Sequence, residues 1–263
     1  MAMFDKILVF GTFEGVTQVL EKIQINRIKA VIAPSIRPKD IFLLKELLFP
    51  LDIPLLIQPK YNTLEYNFFI QKIKLFKYDS VLSNCYSMII RPDVLEYCNY
   101  NAINIHWSLL PLNRGPNPVQ WALIKGETYT GVTLHFIDDG VDTGDIVEQI
   151  EVTIDDDDTW VSLNHKLKKA SDNILEIGIN NLISGNFKRR QQLEINASTN
   201  MRLDPNYPRI DLSKMSNTQI YNLIRAQIQP LKGAFIESNN ERINFPNLLT
   251  KKEIQEMRLK YGQ

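Results

Sequence analysis

The sequence predicts an α/β protein with a Rossmann-like, mostly parallel sheet and helices on both of its faces. Short, uniformly apolar runs recur along the first part of the chain, and longer amphipathic segments separate them. Strands that are apolar throughout are typical of a parallel sheet buried on both faces. Further along, the apolar runs become longer and alternate better with polar residues, which favours antiparallel additions to the same sheet.

Five strands and three helices are predicted in the first part of the chain. The strands are the apolar runs at residues 7–10, 30–32, 55–57, 80–82 and 102–105. Amphipathic segments at residues 16–23, 39–48 and 64–76 predict the helices between them. The loop from Gly11 to Gly15 lacks the G-x-G-x-x-G pattern and the P-loop lysine, so we interpret it as an ordinary strand-to-helix turn.

The second part of the chain adds two alternating strands, a long helix and a small extension. The strands are expected at residues 131–136 and 146–153, and the helix at 159–183. Four aspartates at 155–158 lack the spacing of a calcium loop and favour the start of that helix. A polar segment at 194–207 predicts two domains, 1–195 and 196–263. The extension is predicted to contain a helix at 218–227, a strand at 234–237 and a last helix after Thr250. The apolar stripe of the long helix consists of Leu163, Leu167, Ala170, Ile174 and Ile177.

Composition excludes several classes of function. Lys and Arg number 30 and so do Asp and Glu, so nothing indicates nucleic acid as the main partner. No secretion signal opens the chain, and no apolar run approaches the roughly 18 residues of a membrane helix. We therefore expect a soluble, cytoplasmic protein with no membrane partner. Cys85 and Cys98 suit packed positions, and we predict neither a disulfide nor a metal site.

Two polar residues end the fifth predicted strand. Asn104 and His106 point to one face because side chains alternate along a strand, and ligands of open α/β sheets bind beyond the carboxyl ends of strands. A proline-rich loop follows at residues 108–118, then a helix containing Gln120, and later an acidic turn at 138–145. The other two histidines, His135 on a strand and His165 on the long helix, are predicted to be structural.

These segments resemble one family. Asn-x-His-x-Ser-Leu-Leu-Pro-x-x-Arg-Gly, then Thr-Gly-Val-Thr and Asp-x-Gly-x-Asp-Thr-Gly-Asp, is similar to the folate-dependent formyltransferases over roughly residues 80–235. The resemblance implies that Asn104, His106 and Asp142 are catalytic. Trp107 departs from the pattern, where relatives often carry a small residue. The resemblance also implies folate contacts along two segments, at Asn84, Tyr86, Met88, Ile89, Ile137, Asp138, Asp139 and Gly140.

The implied reaction moves a formyl group from N10-formyltetrahydrofolate to an amine. Negative charge develops on the formyl oxygen, and the Asn104 amide and a protonated His106 are suited to stabilise it. The amine must also lose a proton, and a histidine titrates near neutral pH. Whether His106 acts chiefly as the base or as the donor to that oxygen stays open. Asp142 would hold His106 and relay protons.

The C-terminal segment contains Arg-Ile-Asp-Leu-Ser at 209–213, Tyr-Asn-Leu-Ile-Arg-Ala at 221–226 and Pro-Leu-Lys-Gly-Ala-Phe at 230–235. With these motifs it resembles that of sugar N-formyltransferases. We expect the acceptor to be the amine of a dTDP- or UDP-linked amino-dideoxy sugar used in surface polysaccharide (lipopolysaccharide or O-antigen) biosynthesis. Tyr221, Asn222 and Arg225 are candidate substrate contacts, with helix packing as an equal alternative. The resemblance also implies a homodimer.

Other acceptors and an inactive protein are the alternatives. A methionyl-tRNA formyltransferase should carry a longer, more basic extension, whereas the segment from Ala197 onward has ten Lys and Arg against six Asp and Glu. A hydroxyornithine acceptor of siderophore type is a further alternative. A folate- or sugar-nucleotide-binding module without activity is the non-enzyme alternative.

Overall fold

The computed structural model describes residues 4–204, 208–238 and 241–262, and it confirms the predicted α/β fold. Its central sheet consists of β1 Ile7–Gly11, β2 Ile28–Pro34, β3 Leu55–Gln58, β4 Ser80–Asn84, β5 Ala102–His106, β6 Tyr129–Phe136 and β7 Ile146–Thr153. The spatial order is β3-β2-β1-β4-β5-β6-β7. The strands β1 to β5 are parallel, and β6 pairs with β5 in the antiparallel sense, as the change in pattern predicts.

The predicted helices are present, with ends that shift by up to three residues. They are α1 Phe13–Lys22, α2 Pro38–Leu48, α3 Leu64–Lys74, α4 Pro92–Leu95, α5 Pro118–Lys125, α6 Trp160–Ser184, α7 Asn217–Arg225 and α8 Lys251–Tyr261. A separate antiparallel hairpin joins β8 Ala234–Ser238 to β9 Glu241–Phe245. The one-turn helix α4 and the strand β9 were not predicted. Within the described residues, none of the helices has both the length and the apolar character needed to span a bilayer.

The chain divides into two compact units. The first consists of residues 1–106, 133–149 and 171–194, and the second of residues 107–132, 150–170 and 195–263. The last passage of the chain from the first unit to the second lies between residues 194 and 195. The division into domains 1–195 and 196–263 stays a prediction. The second unit also includes two earlier segments. Residues 205–207 of the polar boundary segment lie outside the described residues.

In the first unit, α1 lies unusually close to the end of β4. A Cβ atom on Gly15 would stand 2.1 Å from the carbonyl oxygen of Asn84, so the two backbones approach as only glycine permits. The fully buried Asn84 amide donates to the Gly15 carbonyl at 3.2 Å and to Gln18 Oε1 at 3.0 Å. These contacts fix the carboxyl end of β4, where the predicted folate segment begins.

The second unit has its own apolar core around α7 and α8. Both helices begin with a capping box, Ser216 with Gln219 and Thr250 with Glu253, which satisfies exposed amide groups of the first turn. Apolar side chains of these helices pack against β8. The members of this core are Ile210, Ile220, Leu223, Ile224, Ala234, Ile236, Ile254 and Met257.

Two burial predictions are wrong. Ile177 is 51% exposed, because the buried stripe of α6 continues through Gly178, where an added Cβ would contact Leu134. Cys85 is only half-buried and adopts the left-handed backbone region, with φ 54°. Cys98 is buried as predicted, and burial raises the pKa of its thiol to about 11.

Candidate active site

The site begins with two side chains at the carboxyl end of β5. Asn104 and His106 lie on the same face of the sheet, and His106 is only 7% exposed. The antiparallel register pairs Asn104 with His135 and His106 with Thr133 on β6. Directly paired residues point to the same face, so His135 joins this group. The Asn104 Nδ2 and His135 Nε2 atoms are 3.1 Å apart.

The turn between β6 and β7 brings Asp142 to this face. One carboxylate oxygen lies 3.5 Å from His106 Nδ1 and the other lies 3.5 Å from His135 Nε2. Asp142 has a left-handed backbone with φ 56°, which aspartate tolerates better than most residues. The Gln192 amide donates to the carbonyl oxygens of Asp142 and Gly144, at 2.9 and 2.8 Å. The structure therefore brings Asn104, His106 and Asp142 together, and the turn that presents the carboxylate is held in place.

His135 was predicted to be structural, and it is almost fully buried, at 2% exposure. Its position beside Asn104 and Asp142 nevertheless makes it part of the candidate site. Alternation along β6 shows that Thr133 and His135 share a face. The sequence does not show which β5 residues they oppose, because register depends on turn geometry.

The first predicted folate segment, residues 84–89, is anchored through side chains. Tyr86 donates to Gln58 Oε1 at 2.9 Å, and Gln58 Nε2 donates to the Ile89 carbonyl at 3.1 Å. Burial raises the pKa of Tyr86, so its hydroxyl keeps its proton at neutral pH. Met88 Sδ lies 3.7 Å from the Ser35 hydroxyl, while Ile89 is 50% exposed. The side chains of Asn84 and Tyr86 are therefore both used to anchor the segment.

The second predicted folate segment, residues 137–140, is a tight turn. The Asp138 carboxylate accepts from the Gly140 amide at 3.1 Å and from the Thr143 hydroxyl at 2.6 Å. Tyr100 donates to the Asp139 carboxylate at 2.8 Å. Ile137 and Tyr86 both pack against one apolar cluster of the first unit. The two predicted segments therefore share a packing partner.

The predicted substrate contacts lie in the second unit and make packing contacts. Buried Arg225 donates to the carbonyl oxygens of Asp155, Asp156 and Asp158 at 3.1 to 3.3 Å, and to Asn222 Oδ1 at 2.9 Å. Burial lowers the pKa of Arg225. The Tyr221 hydroxyl also donates to the Asp156 carbonyl, at 3.2 Å. These contacts agree with helix packing, the alternative that the sequence leaves open.

The proline-rich loop of the motif is held by a neighbouring segment of the same unit. The Arg114 amide donates to the Ser198 carbonyl, and the Asn200 amide donates to the Arg114 carbonyl, both at 2.8 Å. Gly115 has φ 86°, and a Cβ there would lie 2.9 Å from the Asn200 carbonyl oxygen. Trp107, the departure from the motif, is 9% exposed, and its indole nitrogen has no hydrogen-bond partner among the described residues.

Comparison with known proteins agrees with this geometry. WlaRD, a sugar 3N-formyl transferase solved in the presence of dTDP and 5-N-formyl-THF, is 25% identical, with 91% of this chain and 85% of that chain covered at a TM-score of 0.66. A 4-N formyltransferase from Francisella tularensis is 20% identical, with 94% and 99% covered and a TM-score of 0.74. An N-formyltransferase from Helicobacter canadensis, complexed with folinic acid and dTDP-3-aminofucose, is 21% identical, with 92% and 86% covered and a TM-score of 0.67.

Residues 5–177 match the sequence profile of the family described as formyl transferase. The match spans more than half of the 263 residues and includes Asn104, His106 and Asp142. The motif, the clustered side chains and this profile all agree, and the chain belongs to the formyl transferase family.

Proposed function

We propose that this protein transfers a formyl group from N10-formyltetrahydrofolate to the amine of a nucleotide-linked amino-dideoxy sugar. The observation that carries the proposal is the clustering of Asn104, His106 and Asp142 on one sheet face. An amide, an imidazole and a carboxylate are the groups that formyl transfer to an amine requires.

The residues near the predicted folate segments suit such a ligand. Ser87 Oγ is buried without a hydrogen-bond partner in the described part of the chain, beside Tyr86 and the half-exposed Ile89. A flat heterocycle with polar edges needs apolar walls and a few hydrogen-bonding groups, and this segment offers both. When bound, the folate supplies a one-carbon unit at the formyl level. Residues 84–89 and 137–140 would hold it.

Each side chain of the trio has a distinct task in the proposed reaction. The Asn104 amide donates to the formyl oxygen, where negative charge develops. His106 either donates to the same oxygen or accepts the proton that the amine releases. Asp142 faces His106 Nδ1, so it orients the ring and stabilises its protonated form. The 3.5 Å separation is longer than an ordinary hydrogen bond but within ion-pair distance.

A sugar acceptor is supported by the likeness to WlaRD, which extends over 91% of this chain. The composition agrees, because the chain has a formal net charge of zero and its C-terminal segment has only ten Lys and Arg against six Asp and Glu, a weak basic excess for a tRNA-binding extension. We also propose that the product is used in surface polysaccharide. The protein is proposed to be a homodimer, which analytical sedimentation would test.

The test is turnover with N10-formyltetrahydrofolate and a panel of amines. The panel holds dTDP-4-amino- and dTDP-3-amino-dideoxyhexoses, UDP-aminoarabinose, N5-hydroxyornithine and methionyl-tRNA. We expect one sugar nucleotide to be formylated with kcat/KM above about 10⁴ M⁻¹s⁻¹. His106→Ala should abolish turnover and retain folate binding, whereas His165→Ala, at the exposed histidine of α6, should behave as wild type. Formylation of only the tRNA or the hydroxyornithine would contradict the proposed sugar acceptor. Folate binding without any turnover would contradict the proposal that the protein is an enzyme.

A further inference from the structure

The two ring nitrogens of His135 have different partners. Nδ1 lies 2.8 Å from the carbonyl oxygen of Phe136. A carbonyl oxygen only accepts hydrogen bonds, so Nδ1 carries a proton. Because His135 is 2% exposed, water cannot easily replace this contact.

The contact with Asn104 indicates the protonation of the other ring nitrogen, Nε2. Asn104 Nδ2 lies 3.1 Å from His135 Nε2, and an amide nitrogen only donates, so Nε2 presents its lone pair. Both contacts therefore require the same neutral tautomer, with the proton on Nδ1. The titratable groups that face the ring are His106, with ring centroids 6.3 Å apart, and Asp142. The Asp142 oxygen is 3.5 Å from Nε2, beyond the usual hydrogen-bond distance, so this contact does not require Nε2 to carry a proton.

We propose that His135 is a positioning residue that fixes the orientation of the Asn104 amide. The ring nitrogen Nε2 binds one N–H of Asn104 and leaves the other for the formyl oxygen. If the amide rotated by half a turn, its oxygen would meet the Nε2 lone pair and the ligand would lose its donor. This inference rests on the proposed function, and it adds to the trio a side chain that need not touch the substrate.

Two substitutions of His135 test whether the hydrogen-bond acceptor at Nε2 matters separately from the rest of the ring. His135→Gln can place an amide oxygen near the position of Nε2, whereas the shorter His135→Asn reaches only the position of Nδ1. We expect His135→Asn to lower kcat about tenfold, the loss of one net hydrogen bond, and to leave KM within about twofold. His135→Gln should stay within about threefold of wild type. Equal losses in the two variants would overturn the proposal.

The same substitutions in an Asn104→Ala background test whether His135 acts through Asn104. We expect His135→Asn to cause no further loss there, because the group that it orients is absent. Losses that multiply would assign His135 an independent role and overturn the proposal.

A measurement without substrate separates this inference from the proposed function. In protein labelled with ¹⁵N histidine, NMR should show His135 protonated at Nδ1 and unprotonated at Nε2, and Asn104→Ala should shift the Nε2 resonance. A proton on Nε2, or a resonance that ignores the substitution, would overturn the proposal. If His135 has the expected tautomer and its Nε2 resonance shifts in Asn104→Ala, but the protein shows no turnover, the proposed function alone is contradicted.

Discussion

At the scale of single residues, Asp142 contributes one carboxylate oxygen to each of two histidine rings. Asp142→Asn keeps the side-chain shape but removes the negative charge that faces His106, which the proposed mechanism uses. We therefore expect kcat to fall by about 100- to 10,000-fold, the range for a lost proton-transfer partner, with the thermal midpoint nearly unchanged. Steady-state kinetics and a melting curve would test this.

Asp52→Asn is the matched control. Asp52 is exposed and has the same left-handed backbone, with φ 52°, so the substitution repeats the chemical and conformational change away from the site. If the two variants had equal kcat, the Asp142 carboxylate would have no part in the reaction.

The residues of the site could be predicted to different degrees. Strand alternation alone places Asn104 and His106 on one face. Asp142 is 36 residues beyond His106, and only the resemblance identified it among the aspartates of the turn. The place of His135 depends on the pairing of β6 with β5, and the burial of Arg225 depends on contacts within the second unit. Neither follows from local sequence.

At the scale of secondary-structure elements, the contact of α1 with β4 should contribute measurably to the stability of the protein. Gly15→Ala should destabilise the protein by about 1–3 kcal/mol, because the new Cβ atom overlaps the Asn84 carbonyl and the gain in helix propensity is smaller. It should also raise KM for the folate, since Asn84 begins the proposed folate segment. Urea denaturation and steady-state kinetics would measure both.

Glu14→Ala provides the control on the same helix. Glu14 is exposed, so its loss should change the free energy of unfolding by about 0.5 kcal/mol at most. If Gly15→Ala were as stable as Glu14→Ala, α1 would have room to move away from β4.

The elements that were not predicted lack a strong local signal. The strand β9 has the sequence Glu-Arg-Ile-Asn-Phe, and in it only Ile243 and Phe245 are half-buried. Its extended structure therefore depends on its pairing with β8. The helix α4 is a single turn that begins at a proline. The long helices and apolar strands were predictable because many residues repeat the same pattern.

At the scale of the whole molecule, Asp158 should contribute to acid stability. Its burial acts to raise the pKa, but hydrogen bonds from Lys166, Ser162 and the Asp155 amide outweigh burial and hold the pKa below its ordinary 3.8. As the pH falls, the unfolded chain therefore takes up a proton first. The stabilisation is complete above about pH 4 and is lost as the pH falls through the folded pKa.

Asp158→Asn tests this contribution. It should lower the free energy of unfolding by about 2 kcal/mol near neutral pH, and the difference from wild type should shrink in acid. Lys166 has a raised pKa, since its hydrogen bonds outweigh its burial, so its contribution is lost only in strong base. Urea denaturation across the pH range is the measurement. The exposed Asp157→Asn is the control, and an equal effect in both variants would contradict the prediction.

The division of the whole chain into two units has little local signal. The polar segment near residue 195 carries the predicted domain boundary, which stays a prediction. The assignment of residues 107–132 and 150–170 to the second unit depends on contacts between segments far apart in sequence, such as the pairing of Arg114 with Thr199. No local pattern reports such contacts.

The left-handed backbone of position 142 restricts how this chain can drift during evolution. Glycine, asparagine and aspartate tolerate that conformation more readily than residues with branched side chains. A gene copy released from selection for catalysis but still selected for folding should therefore acquire Asn or Gly at this position. A β-branched residue there would cost about 1–2 kcal/mol of stability and should therefore be rarer in such copies than Asn or Gly.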